Sequence, residues 1–280
     1  NQLRFRKYGV SLPKTNRIQI NTNYDKWTAA AVQPPFLPVF FRPGPFSYFC
    51  RMKTLADKII HFNTHLSYHG RLPAGIRIMN PFAENPSVIP VMESFYRKFY
   101  SDGHRRRMII GINPGRFGAA LSGVPFTDSA RLADPCGIAY PGFKSYEVSS
   151  VFVYDVIAAY GGPEAFYRDF YIGSMCPLGF TIQKPGGKEV NYNYYDSKAL
   201  TAAVYPFMVE SLRKQVAFGL DREVAYVLGT GKNAAFVRQM NAAEGFFKKL
   251  IPLEHPRFVM QYKLKSKQEY IDKYLKAFGG

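Results

Sequence analysis

The sequence is poor in cysteine, in long apolar runs and in acidic residues. No run approaches the roughly 20 apolar residues that a membrane span needs, and the first residues lack the charged-then-apolar layout of a signal peptide. We therefore expect no membrane partner and a location that fits a bacterial cytoplasm. Three cysteines, odd in number and far apart at Cys50, Cys136 and Cys176, argue against a disulfide framework and against a four-thiolate site. We predict no metal and no cofactor.

The shortage of acidic residues is the more informative of these features. The chain has 37 Lys and Arg against 20 Asp and Glu, which leaves a formal net charge of +17. Such a balance favours a polyanionic partner, and DNA or RNA comes first. With 280 residues, of which 47% are hydrophobic, the chain can bury a full core in one domain. We expect a monomer.

Residues 1–51 differ in composition from the rest. They contain the segment QPPFLPVFFRPGPF, which is rich in proline and aromatic residues and has neither helical nor alternating periodicity. We interpret 1–51 as a tail outside the folded unit. Thr54 and Asp57 then have the spacing of a capping box and precede apolar residues on one helical face. We therefore predict that the domain comprises residues 52–280.

Within that domain, apolar runs alternate with helical patterns. Strands are predicted at 107–112, 171–175, 223–228 and 249–253, and the intervening patterns indicate helices, including one capped by Asp196. We expect irregular structure from 113 to 142 and a surface excursion at KPGGKEVNYNYYD, where Pro-Gly-Gly marks a turn. The order predicts an α/β protein with three layers, α/β/α, and a central, mostly parallel four-stranded sheet. Its reactive loops should gather where the strands end.

The stretch RMIIGINPGRFGAALSGVPF, from Arg107 to Phe126, holds the clearest candidate site. An apolar strand ends abruptly at Asn113-Pro114-Gly115. Pro114 restrains the conformation of Asn113, and Gly115 lets a ligand or a sugar-phosphate backbone approach the main chain closely. A purely conformational role for these residues is the alternative, since strand-to-loop turns use Gly and Pro for geometry alone.

Two later strand ends carry comparable residues, namely Ser174 ahead of Cys176-Pro177-Leu178, and His255 followed by Pro256. Together with GINPGRFGAALSGVPF, these segments resemble the motifs of the single-strand-selective monofunctional uracil-DNA glycosylases, and the bacterial branch is the closer match. The sequence His255-Pro256-Arg257 is similar to a shortened form of the family's His-Pro-Ser-Pro-Arg motif. The similarity covers roughly residues 52–280, and it implies a uracil-DNA glycosylase-like fold.

The resemblance also implies a function and a set of roles. The protein would be a monofunctional DNA glycosylase of base excision repair, acting on single- and double-stranded DNA that contains uracil or another deaminated base. Asn113 would orient the attacking water, His255 would donate to O2 of the flipped base, and Phe126 would stack on that base. Further contacts to the substrate would come from Gly111, Ile112, Pro114, Gly115 and Ser174. Contacts to the rest of the DNA would come from Arg257, Phe258, Lys263, Lys265 and Lys267.

One departure from the family pattern concerns base recognition. Relatives have Asn two residues before Cys-Pro-Leu, whereas this chain has Ser174. A hydroxyl reads less of a base edge than an amide does. We therefore hypothesise that recognition of uracil is relaxed and that xanthine or hypoxanthine competes with it.

Two other functions stay open from the residues alone. The first is a catalytically inactive nucleic-acid-binding protein with the same fold. The second is a nucleotide-dependent enzyme that uses the loop Gly229-Thr230-Gly231, which follows a strand and opens a helix but lacks Ser or Thr after Lys232. Asp128 can either assist the water or cap a turn.

Overall fold

The computed structural model describes residues 54–140, 142 and 144–279, so the predictions for the tail and for a domain start at 52 lie outside it. The helices are α1 (Leu55–Thr64), α2 (Pro81–Glu84), α3 (Val88–Tyr100), α4 (Ala119–Ser122), α5 (Ser129–Ala133), α6 (Val148–Tyr160), α7 (Pro163–Asp169), α8 (Lys198–Val216), α9 (Lys232–Glu244), α10 (Pro256–Tyr262) and α11 (Lys267–Gly279). The strands are β1 (Ile76–Met79), β2 (Arg107–Gly111), β3 (Phe170–Ser174), β4 (Gly179–Gln183), β5 (Glu189–Tyr192), β6 (Asp221–Leu228) and β7 (Lys249–Leu253).

Four of these strands form a parallel sheet in the order β3-β2-β6-β7. In β2, Met108 lies opposite Tyr171 on one side and Ala225 on the other. The apolar residues of β2 are buried, as expected for a parallel strand whose two faces are both covered by helices. The prediction of a three-layer fold around a parallel four-stranded sheet is confirmed.

A second sheet lies outside this arrangement. Strands β1, β4 and β5 pair antiparallel in the order β1-β4-β5, and β4 and β5 form a hairpin. The predicted turn at Pro-Gly-Gly is present, with Gly186 and Gly187 at φ +89° and +81°. However, the prediction of a mere surface excursion is wrong, because the residues after the turn form β5. Lys and Gly obscure the short alternation of apolar residues that β5 contains.

Two local differences concern helices. The stretch from 113 to 142 is not wholly irregular, since it holds α4 and α5, which are too short to show a helical period. The cap of α8 is Ser197, whose side chain accepts from the backbone N–H of Leu200 at 3.3 Å. Asp196, predicted as that cap, instead accepts from the backbone N–H of Asn193 at 2.8 Å.

Where the sequence signal is strong, local structure follows it. Thr54 and Asp57 form a reciprocal capping box at the start of α1. Helix α6 ends at Gly161 with φ +115°, a left-handed conformation that glycine adopts without a steric penalty. Within the described residues, no helix combines the length and the apolar character needed to cross a membrane.

Candidate active site

A cavity of about 570 Å³ opens at the edge of the central sheet where its parallel strands end. The last residue of β3 and the loops that follow β2, β6 and β7 contribute to its wall. The side chains and backbone predicted for catalysis and substrate binding line it together, namely Gly111, Ile112, Asn113, Pro114, Gly115, Phe126, Ser174 and His255. Asn113 and His255 are therefore brought to one cavity although they lie far apart along the chain.

The side chain of Asn113 is held by backbone groups at the end of β5. Its Nδ2 donates to the carbonyl of Tyr192 at 3.3 Å, and its Oδ1 accepts from the backbone N–H of Tyr194 at 3.2 Å. Because the Tyr192 carbonyl can only accept and the Tyr194 N–H can only donate, these two bonds determine the orientation of the Asn113 amide. An amide oxygen has two lone pairs, so Oδ1 keeps one acceptor position after bonding Tyr194.

The hairpin holds the rest of this loop as well. The backbone N–H of Arg116 donates to Oδ1 of Asn191 at 3.2 Å, and the Arg116 guanidinium lies 3.6 Å from the Glu189 carboxylate. The position of a Cβ on Gly115 lies 3.4 Å from Nδ2 of Asn191, so the Asn191 side chain packs directly against this glycine. The loop after β2 is consequently clamped between the central sheet and the hairpin.

His255 presents a defined tautomer to the cavity. It caps α10, and its Nδ1 accepts from the backbone N–H of Arg257 at 3.2 Å. Burial, aided by the positive charge of Arg257, lowers the pKa of His255 to about 4. The ring is therefore neutral near pH 7, and because Nδ1 is an acceptor, Nε2 carries the proton.

Phe126 lies beside His255, with ring centroids 5.9 Å apart. Its φ of +52° is unusual for a residue other than glycine, and such strain is characteristic of functional sites. A Cβ at Gly111 would lie 3.5 Å from the Phe126 ring and 3.6 Å from Oγ of Ser174. Gly111 therefore borders both the ring and the hydroxyl, each at ordinary van der Waals distance from the position of a Cβ.

Ser174 is anchored through its backbone. Its carbonyl accepts from Nε2 of Gln215 at 3.2 Å, and the β2–β3 pairing continues past it, since the N–H of Met175 donates to the carbonyl of Gly111 at 2.9 Å. Within the part of the chain that the structure describes, its hydroxyl makes no hydrogen bond. The hydroxyl is therefore available to a ligand in the cavity.

The residues predicted to bind DNA fall into three sets. Arg257 and Phe258 line the cavity at the start of α10, and Phe258 is 39% exposed. Lys263 and Lys265 are exposed beyond α10, outside the cavity wall. Lys267 differs from both, because its Nζ lies 2.7 Å from the Asp155 carboxylate.

Two structural elements contribute residues that sequence reasoning missed. Asn191, Asn193 and Tyr195 reach the cavity from β5 and the residues after it, and Glu147 reaches it from the start of α6. The alternation in EVNY is the signal that predicts β5, but nothing in the sequence relates that strand to Asn113. Burial raises the pKa of Glu147 to about 7, with the nearby Asp128 adding to the effect.

Asp128 occupies a structural position behind the cavity. It is fully buried and caps α5, where its Oδ1 accepts from the backbone N–H of Arg131 at 3.0 Å. Its Oδ2 accepts from the backbone N–H of Glu147 at 2.8 Å. Two roles were considered for Asp128, namely assisting the water and capping a turn. These contacts agree with the capping role.

The loop Gly229-Thr230-Gly231 opens into the same cavity as Asn113 and His255. The three residues of this loop therefore share one wall with the residues predicted for catalysis. Lys232, the first residue of α9, also lines this wall.

Comparison with known proteins gives the class to which this fold and cavity belong. The family model described as the uracil DNA glycosylase superfamily matches residues 97–279. The chain belongs to this superfamily, whose members are defined as DNA glycosylases.

Two relatives make the similarity more specific. The structure of wild-type SMUG2 from Pedobacter heparinus is 57% identical, with a TM-score of 0.80, and the alignment covers 81% of this chain and 98% of that chain. The single-strand selective monofunctional uracil DNA glycosylase of Bos taurus is 28% identical over 108 residues, which covers 32% of this chain and 39% of the bovine protein. This chain thus aligns with well under two thirds of the bovine protein's length. The resemblance to the single-strand-selective monofunctional family is confirmed.

Proposed function

We propose that the protein is a monofunctional DNA glycosylase that flips uracil out of DNA and hydrolyses its N-glycosidic bond. The observation that carries this proposal is the pairing of a fixed Asn113 amide with a neutral, Nε2-protonated His255 on one cavity. The family membership of the chain and its net charge of +17 support DNA as the partner.

The two groups meet the needs of the reaction at opposite ends of the breaking bond. As the bond between C1′ and the base stretches, the sugar becomes cationic and negative charge collects on the base. His255 donates from Nε2 to O2 of the base, and one such donor is worth roughly 3 kcal/mol of transition-state stabilisation. Asn113 orients the water that attacks C1′ through the free acceptor position on Oδ1.

The cavity also fits an extruded base. Phe126 provides an aromatic face for stacking, and the Ser174 hydroxyl is free to bond the edge of the base. Phe258, half exposed at the cavity rim, and Arg257 are placed to occupy the gap left in the duplex. Lys263 and Lys265 extend the basic surface beyond α10 toward neighbouring phosphates.

The test is incubation of the purified protein with uracil-containing single- and double-stranded oligonucleotides, followed by alkali. We expect abasic sites that break only after alkali treatment, because a monofunctional enzyme uses water as its nucleophile. Strand scission without alkali contradicts the monofunctional mechanism. Binding without base release contradicts the activity and supports the inactive DNA-binding alternative.

Ser174 leads to a finer proposal about which bases are removed. A single hydroxyl donates or accepts with a rotatable hydrogen, so it accommodates the edges of several deaminated bases. We expect Ser174→Asn to increase the ratio of uracil to xanthine cleavage about 10-fold, with hypoxanthine affected in the same direction. Single-turnover rates on matched oligonucleotides measure the ratio. An unchanged or lower ratio in the variant removes Ser174 from specificity.

A further inference from the structure

The side chain of Glu147 adds a carboxylate to the cavity wall. The motif from Arg107 to Phe126 contains no carboxylate of its own. The motif provides the amide of Asn113 at the end of β2, whereas Glu147 comes from the start of α6. A Cβ at Gly118 would lie 1.9 Å from Oε2 of Glu147, so any side chain at this position would force the carboxylate to move from where it lies. The Glu147 carboxylate thus packs against the loop that carries Asn113.

The two oxygens of this carboxylate have different surroundings. Oε2 accepts from Oγ of Ser150 at 3.2 Å. Oε1 makes no hydrogen bond within the described part of the chain, and it lies 4.0 Å from the position of a Cβ on Gly115. Glu147 therefore has one oxygen anchored by the protein and one oxygen available to a ligand next to Asn113-Pro114-Gly115.

We propose that Oε1 of Glu147 accepts a proton from the water that Asn113 orients, which makes Glu147 a catalytic residue. This proposal rests on the proposed glycosylase function. The bond from C1′ to the base breaks, and its electron pair leaves with the base, whose anion His255 stabilises. The water oxygen bonds C1′, its proton passes to the Glu147 carboxylate and then to solvent, and the base anion takes a proton from solvent.

The charges around Glu147 give the reaction a defined pH dependence. Asp128 from the loop before α5 is itself paired with Arg131, and Arg257 faces Glu147 from α10. Burial, partly opposed by Ser150 and Arg257, holds the pKa of Glu147 at about 7. The pKa of His255 is about 4. Since the carboxylate form is the acceptor, activity should rise with pH through about 7, and His255 stays neutral throughout that range.

The experiment compares Glu147→Gln with wild type in single-turnover cleavage of a uracil oligonucleotide from pH 5 to pH 9. Gln retains the shape of the side chain and loses the proton acceptor. We expect a rate at pH 8 reduced about 10²-fold, loss of the rise near pH 7, and unchanged DNA binding. Glu164→Gln, an exposed substitution on α7, is the matched control and should leave both the rate and the profile unchanged.

A second variant separates catalysis from folding. Gly118→Ala keeps the carboxylate but displaces it, so its rate should also fall while the protein still binds DNA. If wild type cleaves uracil and Glu147→Gln retains both its rate and the rise near pH 7, the role of Glu147 is overturned and the glycosylase function stands. If wild type releases no base, the proposed function itself fails.

Discussion

The central sheet and the β4–β5 hairpin both shape the cavity, but they do so by different means. The sheet delivers side chains, because Ser174 ends one parallel strand, and Asn113 and His255 follow two others at the same edge. The hairpin delivers mainly backbone, since Tyr192 and Tyr194 hold Asn113 through a carbonyl and an N–H. In the proposed mechanism, the central sheet therefore supplies Asn113, Ser174 and His255, and the hairpin orients the Asn113 amide.

Substitution of Asn113 is the strongest test of this contrast between the central sheet and the hairpin. Asn113→Ala removes the amide that orients the water, and we expect the cleavage rate to fall at least 10²-fold, on the order of several kcal/mol of lost positioning. Gel-shift binding of the same oligonucleotide should be retained. An unchanged rate would remove Asn113 from the mechanism and abolish the contrast between the two sheets.

Substitution in the hairpin should have a smaller effect in the same direction. Asn191→Ala removes the acceptor for the backbone N–H of Arg116. The loop that carries Asn113 is then held less firmly, although the Asn113 side chain itself is retained. We expect a fall in rate of about 10-fold.

The Asn113→Ala/Asn191→Ala double variant sharpens the comparison further. If the hairpin acts through Asn113, the second substitution should add little to the first. Single-turnover rates of the four proteins complete the cycle. Fully additive losses would show that Asn191 contributes independently of Asn113, and the positioning role of the hairpin would then be wrong.

The last expected effect concerns stability and not rate, and it involves Glu147, which also lies outside the central sheet. Burial raises the pKa of Glu147 from 4.5 to about 7, so the folded state binds this proton more tightly than the unfolded state does. The contribution of Glu147 to stability is full below pH 4.5 and is lost as pH rises through 7. Glu147→Gln should therefore be more stable relative to wild type at pH 8 than at pH 5, by on the order of 2 kcal/mol.

Denaturant unfolding of both proteins at the two pH values measures this difference. Glu164→Gln serves again as the exposed control substitution. Equal relative stabilities of Glu147→Gln at pH 5 and pH 8 would mean that Glu147 titrates normally in the folded protein.

The same division explains what sequence alone could predict. The strands of the central sheet are short, strongly apolar runs, and parallel connection fixes which of their ends meet. The placement of Asn113, Ser174 and His255 around one edge therefore follows from strand order. The terminal helix and the helix after Thr54 can also be predicted from the sequence, because each has a clear apolar face.

The missed features depend on contacts that leave no local trace. The pairing of Asn113 with Tyr192 and Tyr194 uses backbone groups, which every residue type possesses. The approach of Glu147 to the loop depends on the missing side chain of Gly118, whose glycine has an equally good conformational explanation in the sequence. Neither contact can be inferred without knowing how the hairpin and α6 lie against the central sheet.

The hydrogen bond from the Arg257 amide to His255 has a consequence for how DNA contact and chemistry are related. The proton that determines the tautomer of the imidazole comes from the residue beside Phe258, in the first turn of α10. Any unwinding of that turn frees Nδ1 and allows the ring to present a lone pair, instead of a proton, to the base. In the proposed mechanism, base release therefore requires that α10 remain wound while its outer side chains enter the duplex. Contact with DNA and the proton on Nε2 of His255 then depend on the same helical turn.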